Sequence, residues 1–222
     1  HREMGRMADQ VSRHIESLAA DNNEIGLHVH PHWEDTRWVD DSWHFERTRY
    51  RLQEFSASEL EEIVVAYANC IGEVAGSAPV SYRAGGFCAQ PFGAIGKALR
   101  SVGIFVDSSV VPGARLDDPV KGFDFSSAPD KSWWRFDEDP AKPVQGGEFL
   151  ELPITPLQLP LWYYWGRLFG RLLGPAVSGQ FGDGTSKPIG RREIIRRLLG
   201  DSSAAELSID DAKAPHLLAK RV

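Results

Sequence analysis

Apolar side chains recur near the start of the chain at Met4, Met7, Val11, Ile15 and Leu18, a spacing that predicts an amphipathic helix over roughly 2–20. Asp21-Asn22-Asn23 closes it, and the period then drops to two. In EIGLHVH, Ile25, Leu27 and Val29 fall on one face of a predicted strand. His28 and His30 fall on the other, because successive strand side chains alternate. Residues 33–55, WEDTRWVDDSWHFERTRYRLQEF, hold neither period and predict a long polar and aromatic excursion with little regular structure. Ser56-Ala57-Ser58-Glu59 then reads as a capping box. The stripe Leu60, Ile63, Val64, Tyr67, Ile71 and Val74 behind it predicts a strong helix, which Gly76 and Pro79 stop.

The two periods keep alternating. Val80 to Arg83 predicts a short strand and Ala84-Gly85-Gly86-Phe87 a turn. Pro91 is placed to open a helix with Phe92, Ile95, Leu99 and Val102 inward, Gly103 ends it, and Ile104 to Asp107 predicts the next strand. Repeated helix–strand units predict parallel strands joined by crossover helices, an α/β fold. Residues 111–147, rich in Gly, Pro and Asp, predict a surface excursion with a short pair of strands, and FLELPIT (149–155) a further strand. LPLWYYWGRLFGRLLG (159–174) predicts an apolar and aromatic helix carrying Arg167 and Arg171. Burial against a sheet, a dimer contact and peripheral contact with a membrane surface all fit such a helix. Beyond it come a loop (177–190), a helix (191–199), a strand (206–209) and a last helical piece (211–220).

Composition narrows the class. A chain of 222 residues with 42% hydrophobic and 25% charged residues suits one large α/β domain. A formal net charge of −6 gives no electrostatic reason to seek nucleic acid, so no nucleic-acid partner is expected. The two cysteines form no CxxC, which removes a thiolate zinc site and a dithiol redox centre. Cys70 is expected to be a small core residue and Cys88 to line a pocket, both reduced. No apolar run approaches the ~20 residues of a membrane span, and no signal peptide is recognised. A cytoplasmic protein is expected. The chain opens on His1, and the natural N-terminus is expected to lie further upstream.

Three of the seven histidines, His28, His30 and His32, occupy five residues at a predicted strand end, with Pro31 and Trp33 between and after them. Neutral imidazole is the commonest metal ligand, and such a cluster points to one divalent ion with a position open for water. Zinc suits it best, with cobalt, nickel or manganese as alternatives. The residues leave open whether His28 pairs with His30 or with His32. Glu34, Asp35 and the strand-end Asp107 are the carboxylates that could complete the set. Arg83, ahead of Ala84-Gly85-Gly86, can orient a carboxylate bidentately, while the glycines let a ligand approach the backbone.

GLHVHPHW, then SYRAGGF, then GIFVDSSVVPG, in that order over roughly residues 24–110, resemble the polysaccharide deacetylases of the NodB-homology fold, carbohydrate esterase family 4. The likeness is to the branch found with O-antigen and capsule biosynthesis, the WbmS type among them. It implies a deformed (β/α)7 barrel that removes N-acetyl groups from sugars with one metal held by an aspartate and two histidines. Carried over, the metal motif falls on His28 with His30 or His32, the arginine motif on Arg83 and the strand-end aspartate on Asp107. Arg83 and Asp107 are then catalytic, and Trp33, Gly85, Gly86 and Phe87 contact substrate. The metal and a backbone N–H would stabilise the oxyanion. Trp33, Trp38, Trp43, Trp133 and Trp134 could stack on sugar rings. The implied partner is an N-acetylated sugar or polysaccharide precursor, and a lipid-linked one would suit membrane contact through 159–174.

The resemblance also implies an early aspartate-bearing strand and a late histidine acting as general acid. Neither is matched, since His216 sits in a helical context, so the first and last strands of a single domain over 1–222 are expected to be missing. A non-catalytic sugar-binding protein on the same fold is the main rival. Phosphoesterases and amidohydrolases that open on HxH need several later histidines, and only His44 and His216 follow.

Overall fold

A computed structural model describes residues 5–40, 42–46, 48–154, 156–157, 165 and 205–206. The chain divides into two compact units, residues 1–154 and 155–222. Of the second, the description covers one antiparallel pairing, in which Pro156–Leu157 (β10) runs against Ala205–Glu206 (β11). The aromatic helix expected at 159–174, the helices at 191–199 and 211–220, and His216 lie outside the described residues.

The first unit is mixed α/β. In chain order it holds α1 (Gly5–Ala20), β1 (Leu27–Val29), β2 (Arg37–Val39), β3 (Ser42–His44), α2 (Ala57–Ala75), β4 (Ser81–Ala84), α3 (Gly93–Ser101), β5 (Val106–Asp107), β6 (Arg115–Leu116), β7 (Phe123–Asp124), β8 (Trp134–Phe136) and β9 (Phe149–Glu151). The main sheet has the order β1-β4-β5-β9-β8. β1, β4, β5 and β9 are mutually parallel, and β8 joins antiparallel at one edge. Among the described residues the sheet is open and no barrel closes.

α2 forms where its signals say it should. The Ser56 hydroxyl caps the Glu59 N–H, the Glu59 carboxylate accepts from the Ser56 N–H, and Gly76 ends the helix in the left-handed region at φ +74°. Its stripe of Leu60, Ile63 and Val64 is buried with Leu27 and Val29 of β1 and with Ile95 and Leu99 of α3. At the far end of the sheet Phe92, Phe136 and Phe149 interlock with ring centroids 4.9–5.6 Å apart.

Four expectations are corrected. Residues 33–55, expected to hold little regular structure, contain a hairpin: β2 and β3 pair with Trp38 facing Trp43, because an aromatic cross-strand pair stabilises a turn that composition alone disguises. α3 begins at Gly93 with Phe92 as its N-cap, two residues after Pro91. β8 lies inside the excursion read as surface, since Trp134 and Phe136 alternate inward on either side of exposed Arg135. Cys70 is exposed on α2 and not in the core, whereas Cys88 is buried, and both are free thiols.

Candidate functional site: a histidine pair at the strand ends

The C-terminal ends of the parallel strands are where α/β sheets assemble their sites. At the end of β1, His28 and His30 point away from the core that Leu27 and Val29 fill. Their Nε2 atoms lie 3.0 Å apart. The Nδ1 of His28 is 2.9 Å from the carbonyl oxygen of Arg83. A carbonyl can only accept, so Nδ1 carries the hydrogen and donates it. With Nδ1 as the donor, the uncharged form of the His28 ring offers its Nε2 lone pair toward the His30 Nε2.

This arrangement fits a metal. Metal-bound histidines commonly fix the ring by donating the second N–H to a carbonyl, and His28 does so. Two nitrogens on one tetrahedral ion at about 2.0–2.1 Å would stand about 3.3 Å apart, close to the separation here. Of the three clustered histidines, His28 and His30 are the two whose Nε2 atoms face each other.

His32 turns inward. It is fully buried on a short 3₁₀ turn, Pro31–Trp33, and stacks on Tyr50 with centroids 5.2 Å apart and planes within 8°. Lys121 lies over the other part of that stack, its Nζ 4.8 Å from the Tyr50 ring centroid. Tyr50 and Lys121 had no signal in a stretch without periodicity.

The carboxylates do not join the pair. Glu34 accepts the Tyr67 hydroxyl at 2.5 Å, and Asp35 holds a bidentate ion pair with Arg49 at 2.6 and 2.9 Å. Asp107 lies on the opposite face of the sheet. Leu27, Tyr82, Asp107 and Glu151 are register partners across β1, β4, β5 and β9, so their side chains share the buried face, while His28 and Arg83 share the exposed one. Among the described residues no group of three or more His, Cys, Asp or Glu could hold an ion together.

Arg83 forms no ion pair among the described residues. Its guanidinium is held by Ser108, Nε to the carbonyl oxygen at 2.9 Å and Nη2 to Oγ at 3.0 Å. Gly85 and Gly86 lie beside the histidines and Tyr50. A Cβ on Gly86, which sits at φ +61°, would meet the Tyr50 Oη at 2.7 Å. Phe87 follows in the same left-handed region and packs edge-on to Phe123. Trp33 is part of an aromatic run, 5.5 Å from Trp43 and 5.1 Å from Phe45, that continues to half-exposed Trp38. Cys88 has no chemistry to offer, because burial pushes its thiol up to about 11 and keeps it protonated.

Beneath the site lies a group that no motif announced. Glu151 and Asp107 are both fully buried, and their carboxyl groups act on each other. Asp107 Oδ1 receives the Ser109 hydroxyl at 2.6 Å and Glu151 Oε1 receives the Val110 N–H at 3.0 Å. The remaining oxygens, Oδ2 and Oε2, are buried without a hydrogen-bond partner. Burial raises both carboxyl groups above their ordinary range. Burial and the neighbouring Asp107 charge push Glu151 up to about 11. The signal was legible: in FLELPIT a glutamate occupies the same inward alternation as Phe149.

No helix among the described residues is long and apolar enough to cross a membrane. Neither a protein-family model, nor a curated protein, nor a solved structure matches the chain.

Proposed function

We propose that the chain is a metal-dependent hydrolase of the polysaccharide-deacetylase kind, removing N-acetyl groups from an amino sugar used in surface-polysaccharide (O-antigen or capsule) synthesis. The observation that carries this reading is the pair of imidazole Nε2 atoms 3.0 Å apart at a strand end, one ring tethered through Nδ1 to a backbone carbonyl. His28 and His30 would hold one divalent ion, zinc by preference. When bound, such an ion lowers the pKa of its water toward neutrality and polarises a carbonyl. The fold of this proposal is the deformed (β/α)7 barrel, of which β1, β4, β5 and β9 would be consecutive parallel members.

The chain's own residues have definable tasks. Arg83, fixed by Ser108 on the same face as His28, presents its guanidinium for an acetamide oxygen or a base carboxylate. Gly85 and Gly86 let the end of β4 come close to His30 and Tyr50, beside the histidine pair, and Phe87 follows them. Trp33 and the aromatic run beyond it offer a face for a pyranose ring. The substrate would be an N-acetylated sugar or polysaccharide precursor, handled in the cytoplasm at the inner face of the membrane if it is lipid-linked.

A second reading is a non-catalytic carbohydrate-binding protein on this fold. The engagement of Glu34 with Tyr67 and of Asp35 with Arg49 favours it, since neither carboxylate serves the histidine pair. Elemental analysis of the wild type and His28→Ala decides first. About one divalent ion per chain, lost in the variant, followed by acetate release from N-acetylated sugars, supports the hydrolase. Metal without acetate release favours the binding protein, and no metal after incubation with zinc overturns the metal-site reading.

A further inference from the structure

The peptide group between Arg83 and Ala84 is held from both sides. Its carbonyl oxygen accepts the His28 Nδ1–H at 2.9 Å, on the β1 side. Its N–H donates to the Ser109 Oγ at 2.9 Å, on the β5 side. The Ser109 hydroxyl has spent its own hydrogen on Asp107 Oδ1 at 2.6 Å, and the buried Asp107 carboxyl acts on that of Glu151. An unbroken series of hydrogen bonds thus crosses the sheet, from a buried carboxyl pair on one face to the histidine pair on the other.

We propose that Asp107, Glu151 and Ser109 are positioning residues for His28, acting through the Arg83–Ala84 peptide. The direction of every hydrogen bond supports it. A carboxylate that accepts from Ser109 makes that oxygen a better acceptor for the Ala84 N–H. A peptide whose N–H is so engaged has a more negative carbonyl oxygen, which binds the His28 Nδ1–H more firmly, since bonds in series polarise one another. The result is an imidazole locked in the Nδ1–H tautomer with a more electron-rich Nε2, the effect that second partners have on metal-binding histidines. Four of the groups concerned, Ala84, Ser109, Asp107 and Glu151, are buried, so water does not compete for these bonds. Glu151 keeps the pair at a single negative charge: without that neighbour, Asp107 would be an under-satisfied carboxylate in the core and would take up a proton itself. The chemical reason for a buried acidic pair on β5 and β9 is then the ring it orients across β4.

Two readouts test this. On metal-free protein, ¹⁵N NMR of labelled histidine reports the His28 tautomer, which does not depend on any metal being native. Zinc affinity against a chromophoric chelator reports the consequence, and that arm alone rests on the reading proposed above. Ser109→Ala should reduce the Nδ1–H population of His28 and weaken zinc binding about tenfold or more, the usual cost of losing a second partner. Asp107→Asn keeps an oxygen for Ser109 but removes the charge, and should fall between the two. Glu151→Leu should weaken zinc binding as Ser109→Ala does, and Glu151→Gln, which can donate toward Asp107, should recover most of that loss. A folded Ser109→Ala with the wild-type tautomer and wild-type zinc affinity overturns the proposal. If Ser109→Ala does not fold, unchanged values in Asp107→Asn do the same. Should the wild type bind no zinc while the tautomer shifts as expected, the positioning stands and the metal reading falls.

Discussion

Gly85 lies so close beneath His30 that a Cβ there would sit 3.1 Å from the imidazole and 2.4 Å from the Val29 carbonyl oxygen. The glycine is required by the approach of β4's end to β1's end, because the nearer obstacle is backbone and cannot rotate away. Gly85→Ala should therefore push the two strand ends apart. The expected cost is about 1–3 kcal/mol in chemical denaturation, as for other overpacked sites, together with weaker zinc binding. Unchanged stability and affinity would show that the strands have room the distances deny.

The three clustered histidines should separate by role. His28→Ala and His30→Ala should lose the ion while the fold persists, since His28 is exposed and His30 only half-buried. His32→Ala should keep the ion but lose about 2–4 kcal/mol, as large-to-small changes in a packed interior do, because His32 is buried against Tyr50. Metal stoichiometry measured beside urea melts distinguishes these outcomes. Loss of metal from His32→Ala alone would reassign the pair.

The Glu151–Asp107 pair predicts an unusual pH dependence of stability. Glu151 is raised from an ordinary 4.5 to about 11 in the folded protein, so between those values the native state holds a proton that the unfolded chain has released. Stability from this group is complete below about pH 4.5 and declines as pH rises toward 11. One such proton gives a slope of at most about 1.4 kcal/mol per pH unit. Tyr82 shares the buried face and is itself raised by burial and by Asp107, and the charge of Arg83 acts in the opposite sense on Glu151. Glu151→Gln should flatten the decline between pH 6 and 9, measured by denaturant titration at each pH. An equal slope in both proteins would place the proton elsewhere.

The hairpin's outermost tryptophan tests the sugar reading. Trp38 is 43% exposed and meets Trp43 edge-on at 5.0 Å. Trp38→Ala should leave thermal stability nearly unchanged and weaken binding of N-acetylated sugar oligomers by roughly three- to tenfold, the value of one lost aromatic contact of about 0.5–1.5 kcal/mol. Calorimetric titration of both proteins measures it, and equal affinities would confine the sugar to the strand ends.

Much of the scaffold was written in short-range patterns. The capping box at Ser56 and Glu59 and the stripe from Leu60 to Ile71 fixed α2, because capping and helical periodicity depend only on residues within a turn or two. Strict alternation put Leu27 and Val29 inward and His28 and His30 outward for the same reason. The hairpin at 37–44 was hidden because its stabilising pair, Trp38 and Trp43, meets only across a turn.

By itself, then, the sequence determined the α/β class, the parallel strands and the histidine cluster at a strand end, all consequences of local period and chain punctuation. Tertiary structure decided which histidines face each other, that His32 belongs to Tyr50, and that Asp107 turns from the site to pair with Glu151. Those outcomes hang on register between strands far apart in sequence. One residue of slip would exchange the faces of the sheet, and no local pattern records the register that was chosen.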